Sequence, residues 1–319
     1  RLQGLRKQFA LDFGFVMSPV RVRQDGRLPP QRYAIDFFGS QMAGGELRAD
    51  KLLAINPGGK RAALEGEKAQ EPTYGLPALW IEPDKRQFAR GAGYTLVDPE
   101  TVLVTHFSEV VKHHAAELLT RAETERLVGR VADKQASLIE ELTPNLLSYS
   151  DIQKVLQQLL REQVSVRNIE AILEVLVDQG KATKDPAALT EKARERLGAN
   201  ICQSVADTRG EVQVLTLAPD LERRFLGATR DIEKTGGQLM ALEPRRFEQF
   251  LMTLGKQCEA MLANNLLPVL LCPGPVRRYL RQLVGHALPH MTVLGLNEIP
   301  PSAKIRSFAI VALPGEPGE

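Results

Sequence analysis

Residues 94–118 read YTLVDPETVLVTHFSEVVKHHAAEL, and the division of the chain follows from them. Tyr94-Thr95-Leu96-Val97 is a β-branched and aromatic run of strand type. Asp98 then offers a carboxylate to the N-terminus of a helix, and Pro99 brings the fixed φ suited to its first position. Glu100 places negative charge where the helix dipole favours it. Val104, Phe107, Val111, Ala115 and Leu118 recur at helical spacing and predict a core-facing side. Thr105, Glu109 and Lys112 fall on another side, expected to be wet or to face a partner.

Upstream, Leu2–Gly14 carries apolar residues at Leu2, Leu5, Phe9 and Phe13, a helix closed by Gly14. Val20–Arg23 alternates as a half-buried strand before an Asp25-Gly26 turn, and Tyr33–Phe38 and Gly45–Arg48 suggest further strands. Residues 1–49, resumed at 99–118, therefore read as a first small α/β domain. Between them, 50–98 reads as an inserted second α/β domain whose short strands are punctuated by Asn56-Pro57-Gly58-Gly59 and by Pro72–Pro77. Trp80, the only tryptophan, lies in one of those strands and is expected in the core. Lys85–Gly93 reads as one short helix.

Downstream, 119–198 is helical throughout, with helices expected at Arg121–Glu141, Ser150–Glu162, Val166–Gln179 and Leu189–Leu197. Ser150-Asp151 and Asp185-Pro186 serve as their start signals. Residues 199–319 return to α/β, with strands at Val212–Leu217, Pro268–Cys272, Met291–Leu296 and Ile305–Leu313 and helices at Arg245–Asn264 and Pro275–His286. Arg230–Gly237 and the tail Pro314–Glu319 read as the mobile pieces. The expected fold class is thus multidomain α/β: two α/β domains, one inserted in the other, a helical third and an α/β fourth.

Composition narrows the function. Lys plus Arg number 41 against 39 for Asp plus Glu, a formal charge of +2 that offers no basic stripe for nucleic acid. The basic runs Arg1–Lys7 and Arg277–Arg281 are mixed with apolar residues and read as solvated helix faces. Cys202, Cys258 and Cys272 stand far apart without a CxxC pair, so neither a zinc site nor a disulfide framework is indicated, and a reducing compartment fits. No apolar run reaches the roughly 18 residues of a membrane span. The chain starts at Arg1 inside a helical pattern, which reads as a piece of a longer protein.

No catalytic spacing is complete. His113 and Glu117 stand i,i+4, but a metallohydrolase helix needs HExxH and the sequence is HHAAE. A hydrolase built on His106, His113 and His114 is the enzymatic alternative; these histidines otherwise read as surface or seam residues, with no metal or cofactor implied. Asn56–Lys60 lacks the Ser or Thr and the long helix of a phosphate loop and reads as a turn. Cys272, inside PVLLC, reads as a buried apolar residue rather than a nucleophile. What remains is a binding surface: Tyr74 on a Pro/Gly-rich loop beside the polar side that carries Thr105, the arrangement an interface anchor requires.

Several long stretches resemble one family. They are LRKQFALDFGFVMSPVRVR (Leu5–Arg23), AINPG (Ala54–Gly58), EPTYGLPALWIE (Glu71–Glu82), the Gly93–Arg121 segment, QKVLQQLLREQVSVRNIEAILEVL (Gln153–Leu176) and KDPAALTEKARERLG (Lys184–Gly198). In order and spacing they resemble the cytoplasmic domain of the flagellar type III export-gate proteins, the FlhA family, with the injectisome export-gate proteins as related alternatives. The resemblance implies a four-domain module at the cytoplasmic face of the bacterial inner membrane, below a multi-span region. It implies assembly into a nine-membered ring, contact with other export components, and docking of export chaperones with their substrates; a receptor and gate, not an enzyme. It implies a chaperone-binding dimple at Glu71, Tyr74 and Thr105, where Glu71 replaces the usual Asp and Tyr74 the usual Phe. It further implies a domain hinge at Asn56, Pro57 and Gly58.

Overall fold

Leu52-Leu53-Ala54-Ile55 alternates between two hydrophobic clusters, and that alternation builds the first sheet. In the computed structural model, which describes residues 2–56, 63–235 and 242–313, Leu52 and Ala54 pack with Ile81 and Ala89. Leu53 packs instead with Ala78, Trp80 and Val102. Successive side chains of a strand point to opposite faces, so one four-residue strand feeds both.

The elements run in this order. Helix α1 (Leu2–Phe13) is followed by the hairpin β1 (Arg32–Phe37) and β2 (Ser40–Glu46). Strands β3 (Leu52–Ile55), β4 (Glu67–Gln70) and β5 (Pro77–Ile81), helix α2 (Arg86–Gly91) and strand β6 (Thr95–Val97) lead to α3 (Pro99–His113) and α4 (Ala115–Leu118). Helices α5 (Arg121–Ala132), α6 (Ala136–Leu142), α7 (Tyr149–Arg161), α8 (Ile169–Gly180), α9 (Pro186–Arg196) and α10 (Gly198–Val205) come next. The last part holds β7 (Glu211–Leu217), α11 (Pro219–Thr235), α12 (Pro244–Ala263), β8 (Val269–Cys272), α13 (Gly274–Gly285), β9 (Thr292–Gly295) and β10 (Lys304–Val311). The chain falls into two compact units: Arg1–Leu127 with Ser165–Arg167, and Val128–Val164 with Asn168–Glu319.

The first unit holds the β1–β2 hairpin and an antiparallel sheet in the order β4-β5-β3-β6. Ala89 of α2 packs on one face and Val102 of α3 on the other, where Trp80 is buried as expected. Asp98 caps α3 by accepting from the Thr101 amide at 2.9 Å, with Pro99 at the first position. Val20–Arg23, expected as a strand, is not one: Val22 is 82% exposed. Alternation alone lacks force there, because no neighbouring strand takes up its backbone bonds. Asn56 donates its amide to Pro77 O at 2.9 Å; Pro57 and Gly58, the rest of the expected hinge, lie outside the described residues.

In the second unit, helices alone occupy the stretch up to Val205, and then a wholly parallel sheet forms in the order β10-β7-β8-β9. Its strands VQVLTL and VLLC are nearly continuous apolar runs, as parallel strands covered on both faces require. Phe225 of α11, Phe250 and Leu254 of α12, and Val276 and Leu280 of α13 close its core. The single helix expected at Arg121–Glu141 is broken into α5 and α6. Arg230–Thr235, expected as mobile, continues α11; residues 236–237 and Pro314–Glu319 lie outside the described residues.

The start of α7 also differs from its expectation. Ser148, not Ser150, is the cap: its hydroxyl accepts from the Asp151 amide at 3.2 Å, and the Asp151 carboxylate accepts from the Ser148 amide at 3.1 Å. This reciprocal box fixes the first turn of α7, so Ser148→Ala is expected to cost about 1 kcal/mol. Denaturant titration of the second unit checks it. An unchanged midpoint would mean that water replaces the box at no cost.

The basic run Arg277–Arg281 is not a solvated face either. Arg277 and Arg194 are each 1% exposed. Arg277 donates to Glu162 at 2.5 and 3.0 Å and also to Glu191. Arg194 donates to Glu298 at 2.5 and 3.1 Å and to Glu162 at 3.2 Å. The cluster joins α7, α9 and α13 to the turn that follows β9.

Candidate functional site

The loop between β4 and β5 is EPTYGL, residues 71–76, and its shape depends on the first of them. The Glu71 carboxylate accepts from the Thr73 amide at 2.9 Å and from the Tyr74 amide at 2.6 Å. Its backbone amide donates to Leu76 O at 2.8 Å, and its carbonyl accepts from Gly75 N at 3.0 Å. Gly75 adopts φ +69°, the left-handed conformation that glycine takes without a Cβ penalty. Gln70 adds a side-chain bond to Gly75 O at 2.9 Å. Five hydrogen bonds thus set six residues, and Tyr74 projects from their tip 62% exposed.

Thr105 is exposed on α3 as expected, one turn before Glu109. Glu109 accepts from Lys112 Nζ at 2.9 Å. The Tyr74 hydroxyl is pushed above its ordinary range, first by partial burial and then by the Glu109 charge, which Lys112 opposes. The Tyr74 hydroxyl thus feels the Glu109 and Lys112 charges of α3. Glu71 takes a different place: it is 5% exposed, its carboxylate spent on the loop.

A family model described as FHIPEP matches residues 1–304. The chain belongs to the FHIPEP family. Flagellar biosynthesis protein FlhA of Bacillus subtilis (strain 168) is 37% identical over 311 residues, 98% of this chain and 46% of that protein. The chain thus spans about half the length of such relatives. Among solved structures, the Chlamydia pneumoniae CdsV protein matches with a TM-score of 0.79 at 22% identity, covering 97% of this chain and 89% of that one. The nonameric SctV-C of EPEC, solved by cryo-EM, matches with a TM-score of 0.72 at 20% identity, covering 97% and 92%. The resemblance read from the sequence is borne out, and these likenesses show a shared mixed α/β fold with three sheets and many helices.

In this FHIPEP-family chain the rings of His113 and His114 meet edge to face, 5.1 Å apart, while His106 is paired elsewhere. His106 is buried on α3, and Tyr33 Oη lies 2.6 Å from its Nδ1. His113 is exposed at the end of α3, and His114 sits at the break before α4, packed edge-on against Phe37 at 5.7 Å. That break also separates His113 from Glu117. Of the expected core-facing set, Val111, Ala115 and Leu118 are buried and Val104 and Phe107 half-buried, with Val102 and His106 buried in the first turns instead. His106, expected at the surface or a seam, is buried; its one signal of burial is its place four residues after Val102 and five before Val111. No helix of the described residues is long and apolar enough to cross a membrane. Burial pushes the Cys272 thiol up to about 12, the behaviour of a core residue.

Proposed function

We propose that this chain is the cytoplasmic docking platform and gate of a flagellar type III export apparatus, at the cytoplasmic face of the inner membrane. It binds export chaperones carrying their substrates, and it works as one copy of a nine-membered ring with other export components. The observation that carries the reading is the clamped loop: an aromatic side chain held out by five hydrogen bonds beside the polar side of α3. A rigid exposed aromatic loses little entropy on binding and suits the role of anchor. Tyr74 and Thr105 make the contact, and Glu71 serves it from beneath.

The flagellar assignment is supported by identities of 30–37% to FlhA relatives, against 19–22% to injectisome proteins of similar fold. Ring assembly is supported by the nonameric state of the EPEC SctV-C structure. The four-part organisation read from the sequence (1–49 with 99–118, 50–98, 119–198, 199–319) belongs to the same proposal. The change from strands to helices alone and back to strands supports it.

The test is calorimetry of this chain against flagellar export chaperones, each free and each loaded with cargo. Thr105→Met fills the polar step beside Tyr74 with an apolar side chain and is expected to weaken docking by about tenfold or more, roughly the 1.4 kcal/mol of one misfitted contact. Its fold should be intact, since Thr105 is exposed. Wild-type affinity in the variant would move the surface elsewhere, and no saturable binding by any loaded chaperone would remove the receptor reading.

A further inference from the structure

β9 is the last strand of the parallel sheet, yet three of its four residues are buried. The strand at the opposite edge, β10, exposes Lys304, Arg306, Ser307 and Ile310. An edge strand presents a row of unpaired amides and carbonyls, and burying them without partners is costly. We infer that α9 and α10 clasp the sheet by sealing the open edge of β9, so that the helices and the sheet of the second unit open as one cooperative body. The boundary at 198/199 then separates two architectures, but not two parts that unfold or swing independently. Nothing in this clasp depends on the docking reading.

The bonds follow the alternation of the strand. Thr292 donates its amide to Pro268 O at 3.0 Å, toward β8. Successive residues of a strand direct their backbone groups to opposite edges, so Met291, Val293 and Gly295 direct theirs away from β8. Each is met by a side chain. Arg281 of α13 donates to Met291 O at 2.7 Å. Arg194 of α9 donates to Val293 O at 3.3 Å, and Arg277 of α13 reaches the same oxygen at 3.5 Å. The Gly295 amide donates to the Glu298 carboxylate at 2.8 Å, and that carboxylate also accepts from Arg194. A guanidinium suits this work, because its five donors can serve a carbonyl and two carboxylates together.

α10 closes on the same place with its backbone. Gly198, its first residue, lies so near the turn after β9 that a Cβ there would come within 1.8 Å of Glu298 O. At the rim, Asn297 of that turn donates to Glu195 of α9 at 2.6 Å. Drawing α9 away would take Arg194 from both the Val293 carbonyl and the Glu298 carboxylate, and would strip Arg277 of Glu191. A partial opening therefore leaves a buried carbonyl and buried charges unpaired at once, which favours opening all together or not at all.

The experiment is native-state hydrogen exchange of the whole chain across a denaturant series below the unfolding transition. Core amides of α7 and α9 and of β8 and β9 are expected to share one opening, with protection factors that agree within about threefold and fall with the same denaturant slope. Helix amides that exchange about 100-fold faster than those of β8, through an opening that leaves the sheet protected, overturn the inference. Arg194→Met keeps the apolar stem and removes the fork; protection should fall in α9 and β8 alike, by on the order of 100-fold or more. Gly198→Ala leaves every charge in place and should lower protection in both parts through the steric contact alone. A loss confined to the helices in either variant, or wild-type protection in Gly198→Ala, also overturns it. Should a variant fail to fold, the wild-type series decides by itself.

Discussion

Arg277→Ala should destabilise the second unit by about 3–5 kcal/mol, the cost of stripping one partner from a buried ion pair. Five charged side chains are bound in this cluster: Arg194 and Arg277 with Glu162, Glu191 and Glu298. Removing Arg277 leaves Glu162 and Glu191 facing each other without the guanidinium between them. Arg277→Lys keeps the charge but cannot fork to two carboxylates, so its loss should be intermediate. Exchange of β8 amides reads the second unit, and Trp80 fluorescence reads the first. A loss under about 1 kcal/mol, typical of solvent-exposed pairs, would show that the cluster contributes only weakly.

The same cluster fixes a pH dependence. Burial by itself would raise the Glu162 carboxyl, but Arg194 and Arg277 outweigh it and hold it below its ordinary 4.5. A carboxylate depressed in the folded state contributes stability that is complete above its unfolded pKa and is lost as pH falls through the folded one. The second unit should therefore weaken below about pH 4.5, with Arg277→Ala moving the onset upward as Glu162 loses one counter-ion and keeps Arg194. An unshifted onset would locate the acid transition in other carboxylates.

The helices and parallel strands were legible because they announce themselves locally. Asp98-Pro99 and Asp185-Pro186 each combine a cap with a fixed φ, and both helices begin there. VQVLTL and PVLLC are apolar enough to require cover on both faces, and both are core strands. Failures came where the deciding partner is remote in sequence. Arg277 reads as surface because neighbouring residues are basic, yet its partners Glu162 and Glu191 lie 115 and 86 residues away. Val20–Val22 alternates like a strand but has no strand to pair with. The polar surface of α3 was visible in Thr105 and Glu109; its support was not. Glu71 was read as a contact from a resemblance, and its bonds to Thr73 and Tyr74 depend on a turn that composition only suggests. A histidine in sequence invites a catalytic role, whereas the His106 Nδ1 lies 2.6 Å from the Tyr33 hydroxyl.

Tyr74→Ala should reduce chaperone docking by roughly 30-fold or more, about 2 kcal/mol, while leaving stability nearly unchanged. Both halves follow from the loop. The ring is 62% exposed, so its removal opens no core cavity, and the bonds that shape the loop use backbone atoms of residue 74 rather than its side chain. Glu71→Ala separates anchor from support. It deletes the acceptor for two amides but no exposed contact, so it should weaken docking through a disordered loop and raise exchange at residues 73 and 74. Tyr74→Ala should leave that exchange at its wild-type rate. Tyr74→Phe keeps the ring and removes the hydroxyl that feels Glu109 and Lys112, so it isolates the polar share of the contact. If Tyr74→Ala binds loaded chaperones as tightly as the parent chain, the exposed ring is no anchor, and the clamp beneath it needs another purpose.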